Sequence, residues 1–132
     1  MNDGVLEGYF LCSYAARKLG THSTGNAGGH HNLLLRSDGP DFAGMLRKLD
    51  RGLLVTELLG QGVNLVTGDY SRGAAGYWVE GGEIRYPVEE ITIAGNLKDM
   101  YRNIVAIGND LKFRSSSASP TIRIEGITIA GS

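Results

Sequence analysis

The sequence predicts an α+β domain, rich in strands that form mostly antiparallel or mixed sheets, with about three short helices. Three observations carry this. Runs of β-branched and aromatic residues recur along the chain, bounded by glycine and polar turn residues. Two stretches instead place apolar residues at i, i+3, i+4 and i+7, the period of a helix with one buried face. Few connections between these runs are long enough for the crossover that parallel neighbours require. Twenty glycines in 132 residues, roughly twice ordinary usage, fit many strands joined by tight turns. Residues 1–132 are the size of one ordinary domain and are expected to form a single one.

Taken in order, residues 5–11 read as a strand, and Ser13 caps a short helix, "YAARKLG", that ends at Gly20. Residues 20–30 are turn-rich. "HNLLLRS" reads as a strand closed by "DGP". Asp41 caps a second helix, on which Phe42, Met45, Leu46 and Leu49 form one apolar stripe. "GLLVTELL" is a nearly continuous apolar run, suited to burial on both faces. "VNLVTGDYSRG" follows as a strand with a glycine-bounded turn.

"GYWVEGGEIRYP" is the clearest local signal. Two β-rich runs flank Gly81-Gly82, a pair that tolerates the positive φ of a two-residue hairpin turn. In that register Glu80 faces Glu83, Val79 faces Ile84, and Trp78 faces Arg85, so that the last pair stacks. "EEITIAG" is a strand ending at Asn96, which caps a third helix with the stripe Leu97, Met100, Tyr101 and Ile104. Both stripes are expected to pack on sheets. The closing "PTIRIEGITIAGS" alternates and bends at Gly126. "ITIAG" occurs twice, at 91–95 and 127–131, too little for a repeat architecture; two strands with matching ends are expected.

Composition excludes several classes. Thirteen basic and fourteen acidic residues leave a formal charge of -1, which gives no general attraction to nucleic acid or anionic membrane. The basic residues are dispersed, without the interleaved aromatics of a nucleic-acid surface. No run of about 18 apolar residues is present to span a bilayer, and "MNDGVLEG" has no secretory pattern. The single Cys12 cannot form an internal disulfide, so a cytoplasmic setting is expected.

The residues that invite chemistry are few. In "STGNAGGHHNLLL", His30 and His31 are adjacent; on a strand they point to opposite faces and do not share one ion. His22 lies upstream across a turn, and Cys12 belongs to a different element without a histidine poised to activate it. "TGNAGG" lacks the Lys-Ser/Thr of a nucleotide loop and reads as a tight turn in which Asn26 takes positive φ. "TGDYSRGA" gathers Asp69, Tyr70, Ser71 and Arg72 in a polar loop, with an Asp–Arg contact expected inside it. Ser71 has no visible His–Asp relay. Glu57, a carboxylate within an apolar run, is expected at an edge or beside a base. Asn26, His30, His31, Asp69, Tyr70 and Arg72 are therefore candidates for a substrate groove or a subunit interface, with no catalytic and no metal residue assigned.

"SYAARKLGTHSTGNAGG", the long segment from "GLLVTELLGQGVNLVTGDYSRGAAGYWVEGG" to "EIRYPVEEITIAGNLKDMYRNIVAIGND", and the final "ITIAGS" resemble the C-terminal domain of the TldD/PmbA family. These are metallopeptidases often called modulators of DNA gyrase. "GDYSRGA" and "EEITIAGNLKDM" resemble the PmbA (TldE) branch. Family members are longer, and the likeness is to their last part. In the metal-bearing branch, a His-Glu-x-x-x-His helix and a cysteine near the C-terminus supply ligands; two histidines one turn apart share a helix face. Neither that motif nor a second cysteine occurs in this chain. The resemblance thus implies a subunit of a cytoplasmic peptidase complex acting on small or unfolded peptides. In it this chain supplies scaffold, interface and a peptide groove, with no cofactor of its own. Zinc is expected only in a TldD-type partner, and the chain by itself is expected to be inactive. Partnership with that subunit or self-association is implied, without direct nucleic-acid or membrane contact. The alternative is a non-catalytic peptide- or protein-binding module.

Overall fold

A computed structural model describes residues 5–27, 29–37, 39–113 and 115–131. Gly28 of the glycine run, Asp38 of "DGP", Arg114 and the first four residues lie outside the described set. In chain order the elements are α1 (Ser13–Lys18), β1 (Leu33–Leu34), α2 (Phe42–Leu49), β2 (Gly52–Leu59), β3 (Asp69–Glu80), β4 (Glu83–Asn96), α3 (Leu97–Arg102), β5 (Ile104–Ile107), β6 (Ser117–Ala118), β7 (Ile122–Ile124) and β8 (Thr128–Ala130). Eight strands and three helices among the described residues match the expected α+β class. The residues fall into two compact units, the first within 1–34 and 113–118, the second within 35–112 and 119–132.

The first unit is poor in regular structure. Cys12, not Ser13, stands at the N-cap of α1, and no side chain caps that end. The helix ends as predicted at Gly20 (φ 66°), where the Thr21 and Gly20 amides return to the carbonyls of Ala16 and Arg17. Side chains then hold what strands do not. The Leu11 amide donates to Thr24 Oγ1 at 2.9 Å, and the Leu11 carbonyl accepts from Ser23 Oγ at 2.9 Å. The strand expected over 5–11 is absent beyond a single bridging residue, Val5; among the described residues no strand lies alongside to complete a ladder. "HNLLLRS" likewise keeps only β1, paired in parallel with β6.

The second unit is built on a four-stranded antiparallel sheet in the order β2-β3-β4-β8. Its centre is the predicted hairpin. Gly81 and Gly82 take φ of 64° and 72°, the left-handed pair that a two-residue turn with matching twist requires. Glu80 pairs with Glu83 and Val79 with Ile84, but Trp78 then faces Tyr86 rather than Arg85. Arg85 is the extra residue of a bulge, because its guanidinium turns back to the Glu80 carbonyl (3.1 Å) and the Glu83 carboxylate (3.0 Å). Trp78 stacks instead under Arg51, 5.8 Å from the ring centroid.

Small residues let the strands close. Ala74 is fully buried with Ile91 and Ile93, and a Cβ on Gly76 would overlap the Leu54 carbonyl of the neighbouring strand. β2 is not buried on both faces as its composition suggested: among the described residues it is an end strand, and residues 56–59 are exposed. Glu57 sits there, beside a register shift. β5 and β7 pair antiparallel.

Asp41 caps α2, its carboxylate accepting from the Gly44 amide at 2.8 Å. Met45 of the α2 stripe is buried. Asn96 caps α3 as expected, accepting from Lys98 N at 3.1 Å, but that stripe packs only in part, since Tyr101 is 72% exposed. The two "ITIAG" copies pair with each other: Thr92 with Ala130, Ile93 with Ile129, Ala94 with Thr128.

Candidate functional site

The six candidates divide between the two units. In the first, Asn26 is half-buried, and its carbonyl accepts from the Gly29 amide at 2.9 Å. The positive φ of this turn falls on Gly25 (76°) and Ala27 (49°), not on Asn26. His30 Nε2 lies 2.9 Å from Ser117 Oγ, while His31 and His22 are exposed.

In the second unit, "TGDYSRGA" is not a loop: Asp69 opens β3, so the side chains alternate. The loop lies just before it. Asn64 Oδ1 accepts from the amides of Val66 (2.9 Å) and Thr67 (3.2 Å), a local bonding pattern that competes with strand extension and displaces the start of the strand expected over 63–73. Leu65 and Val66 stand at its tip, 86% and 96% exposed. Asn96 Nδ2 donates to the Thr67 carbonyl at 3.1 Å, which ties the turn to the start of α3.

The expected Asp–Arg contact does not form. The Asp69 carboxylate accepts from Thr67 Oγ1 at 2.6 Å. Arg72 spends its guanidinium on carbonyls at the end of β2, donating to Gly60 at 2.7 Å and to Leu58 at 3.3 Å, and its buried Nε has no partner. Tyr70 points the other way from Asp69 and packs on the Ala74–Ile91–Ile93 cluster.

Tyr70 also lines the feature that residue-by-residue reading missed. An apolar cavity of about 410 Å³ lies between α2, β2 and β7, walled by the whole α2 stripe and by Leu53, Leu58, Met100 and Ile127. The α2 stripe was its one sequence signal, read as core alone. Nearby, partial burial pushes the Asp110 carboxyl up, but the Thr121 hydroxyl (2.7 Å) and amide (2.9 Å) outweigh this and, with Lys112, hold it below the usual carboxylate value.

Among the described residues no three of His, Cys, Asp or Glu come together as a metal-ligand group, and the neighbouring His30 is already bonded to Ser117. Nor, among them, is any helix long and apolar enough to cross a membrane.

Comparison with known proteins gives the class first. A solved structure from Bacteroides thetaiotaomicron, described as a modulator of DNA gyrase, superposes with a TM-score of 0.86 at 34% identity, over 99% of this chain and 30% of that one. The model of the PmbA/TldA metallopeptidase C-terminal domain matches residues 1–131, and the chain belongs to that family. Metalloprotease PmbA of Escherichia coli O157:H7 is 57% identical over 99% of the chain. The PmbA homologue of Haemophilus influenzae is 50% identical over the same share. The chain spans 29% of the length of each of these two relatives.

Proposed function

We propose that this domain is the C-terminal part of a PmbA-type subunit in a cytoplasmic metallopeptidase complex acting on small or unfolded peptides. It supplies scaffold, interface and a peptide-holding edge. The zinc centre is assigned to a TldD-type partner, and no catalytic step is assigned to residues of this chain. The observation that carries the reading is β2, an end strand with residues 56–59 exposed, whose Leu58 also lines the apolar cavity. An extended peptide adds to such an edge by main-chain hydrogen bonds and sets alternate side chains into an adjoining apolar recess. The likeness to metalloprotease PmbA supports the peptidase setting.

The test is reconstitution of the longer protein with a TldD-type subunit. Unfolded peptides should be cleaved by the mixture and by neither component alone. Leu58→Asp should raise KM severalfold with kcat unchanged, as loss of uniform binding does. Peptide retained without hydrolysis in the mixture would favour a binding module instead. Stoichiometric zinc on this chain, lost in a His30→Ala, His31→Ala double variant, would overturn the assignment.

A further inference from the structure

The cavity between α2, β2 and β7 is apolar except at one place. Of the described residues that line it, only Arg123 is charged. Tyr70 and Thr121 are the other polar ones, and the Thr121 hydroxyl is already given to the Asp110 carboxylate at 2.7 Å. The Arg123 side chain is 25% exposed, and its Nη2 donates to Glu125 Oε1 at 2.7 Å. That glutamate stands mostly in water, so the guanidinium ends where the cavity meets solvent. Its Nε is buried without a partner. A guanidinium holds its N–H donors in a planar fork that matches the two oxygens of a carboxylate, and one bond to Glu125 leaves most of that fork unused. The cavity's volume of about 410 Å³ is that of a site for a small ligand.

We propose, on the strength of the peptide reading above, that the cavity receives the C-terminal residue of the peptide, its apolar side chain inside and its carboxylate on Arg123. Charge selects this occupant. An internal segment offers only neutral carbonyls to the guanidinium, and an N-terminus brings a like charge. A C-terminus joins two anionic oxygens to an apolar side chain within one residue, which satisfies the buried donor and fills the apolar space together. Glu125 holds the guanidinium until the terminus competes for it. Arg123 is thus a specificity-determining residue, and the substrate class is peptides with a free C-terminus and a large apolar last residue.

The test uses the longer protein reconstituted with a TldD-type subunit, and one unfolded peptide ending in leucine, as the free acid and as the C-terminal amide. KM for the acid should lie about tenfold below that for the amide at the same kcat, because the contact is made equally in the ground and transition states. Arg123→Met should erase the difference and Arg123→Lys should keep part of it, whereas a folding defect would raise both KM values alike. Glu125→Gln should lower KM for the acid about threefold and leave the amide unchanged, since it removes the competing carboxylate. Equal KM for acid and amide, or a difference that survives Arg123→Met, would overturn the proposal and leave the peptide reading standing. Inhibition by decanoate far below the peptide's KM would assign the site to a fatty acid instead. A mixture that cleaves neither peptide would sink both readings.

Discussion

The β3–β4 hairpin and residues 20–35 both carry candidate site residues, but opposite forces hold them. In the hairpin the backbone does the fixing: two long strands run on either side of a two-residue turn, and Asp69, Tyr70 and Arg72 inherit their directions from the pleat. In the other segment the backbone has almost no ladder. Ser23 and Thr24 hold it through side-chain bonds to Leu11, and β1 contributes two residues. A residue on a pleated strand has its direction decided by parity. One on a side-chain-tied loop has it decided by whichever hydroxyl or carbonyl is within reach, as His30 is by Ser117.

Three substitutions probe that contrast, from large effect to small. Gly76→Val should cost about 3 kcal/mol or more, because a Cβ there meets the Leu54 carbonyl and the sheet has no slack to yield. Urea unfolding would measure it, and a shift below about 1 kcal/mol would mean that the strands are looser than they look. Thr24→Val should cost about 1 kcal/mol, leaving the Leu11 amide without its acceptor. Faster hydrogen exchange at Leu11, with the hairpin amides unchanged, would show that the segment is held locally.

Asp110→Asn should have the smallest effect, under about 1 kcal/mol at neutral pH, since the site is partly solvated. It should act through pH. The folded carboxyl titrates below the ordinary carboxylate value, so its contribution is present above that ordinary value and fades as pH falls through the lower folded value. The wild-type chain should therefore lose stability relative to Asp110→Asn only at the acid end of a pH series. A difference independent of pH would point to packing alone.

The same contrast explains what could be read in advance. Gly81-Gly82 and the alternation around them fixed the hairpin, and Asp41 and Asn96 located two helix starts, because a cap or turn is decided within a few residues. Arg85 was misplaced because a bulge depends on what its guanidinium finds, and the Glu80 carbonyl is visible only after folding. The face-to-face burial expected of β2 failed for a related reason: composition gives apolarity, whereas position in the sheet decides exposure. Of the candidate site, Tyr70 and Arg72 were named but placed in a loop, since nothing local said that Asn64 would absorb the turn. Of the cavity only the α2 wall has a local sequence signal, because the space itself is assembled from α2, β2 and β7 together.

The duplicated pentapeptide leaves the folding chain with a choice. Residues 91–95 and 127–131 offer identical backbones for the lane beside β3, so nothing in their side chains says which should win. Loop length says it. The first copy reaches β3 by closing a two-residue turn, whereas the second would need to close a far longer loop at greater entropic cost. The inner lane goes to whichever copy arrives sooner, and the later one is left at the margin.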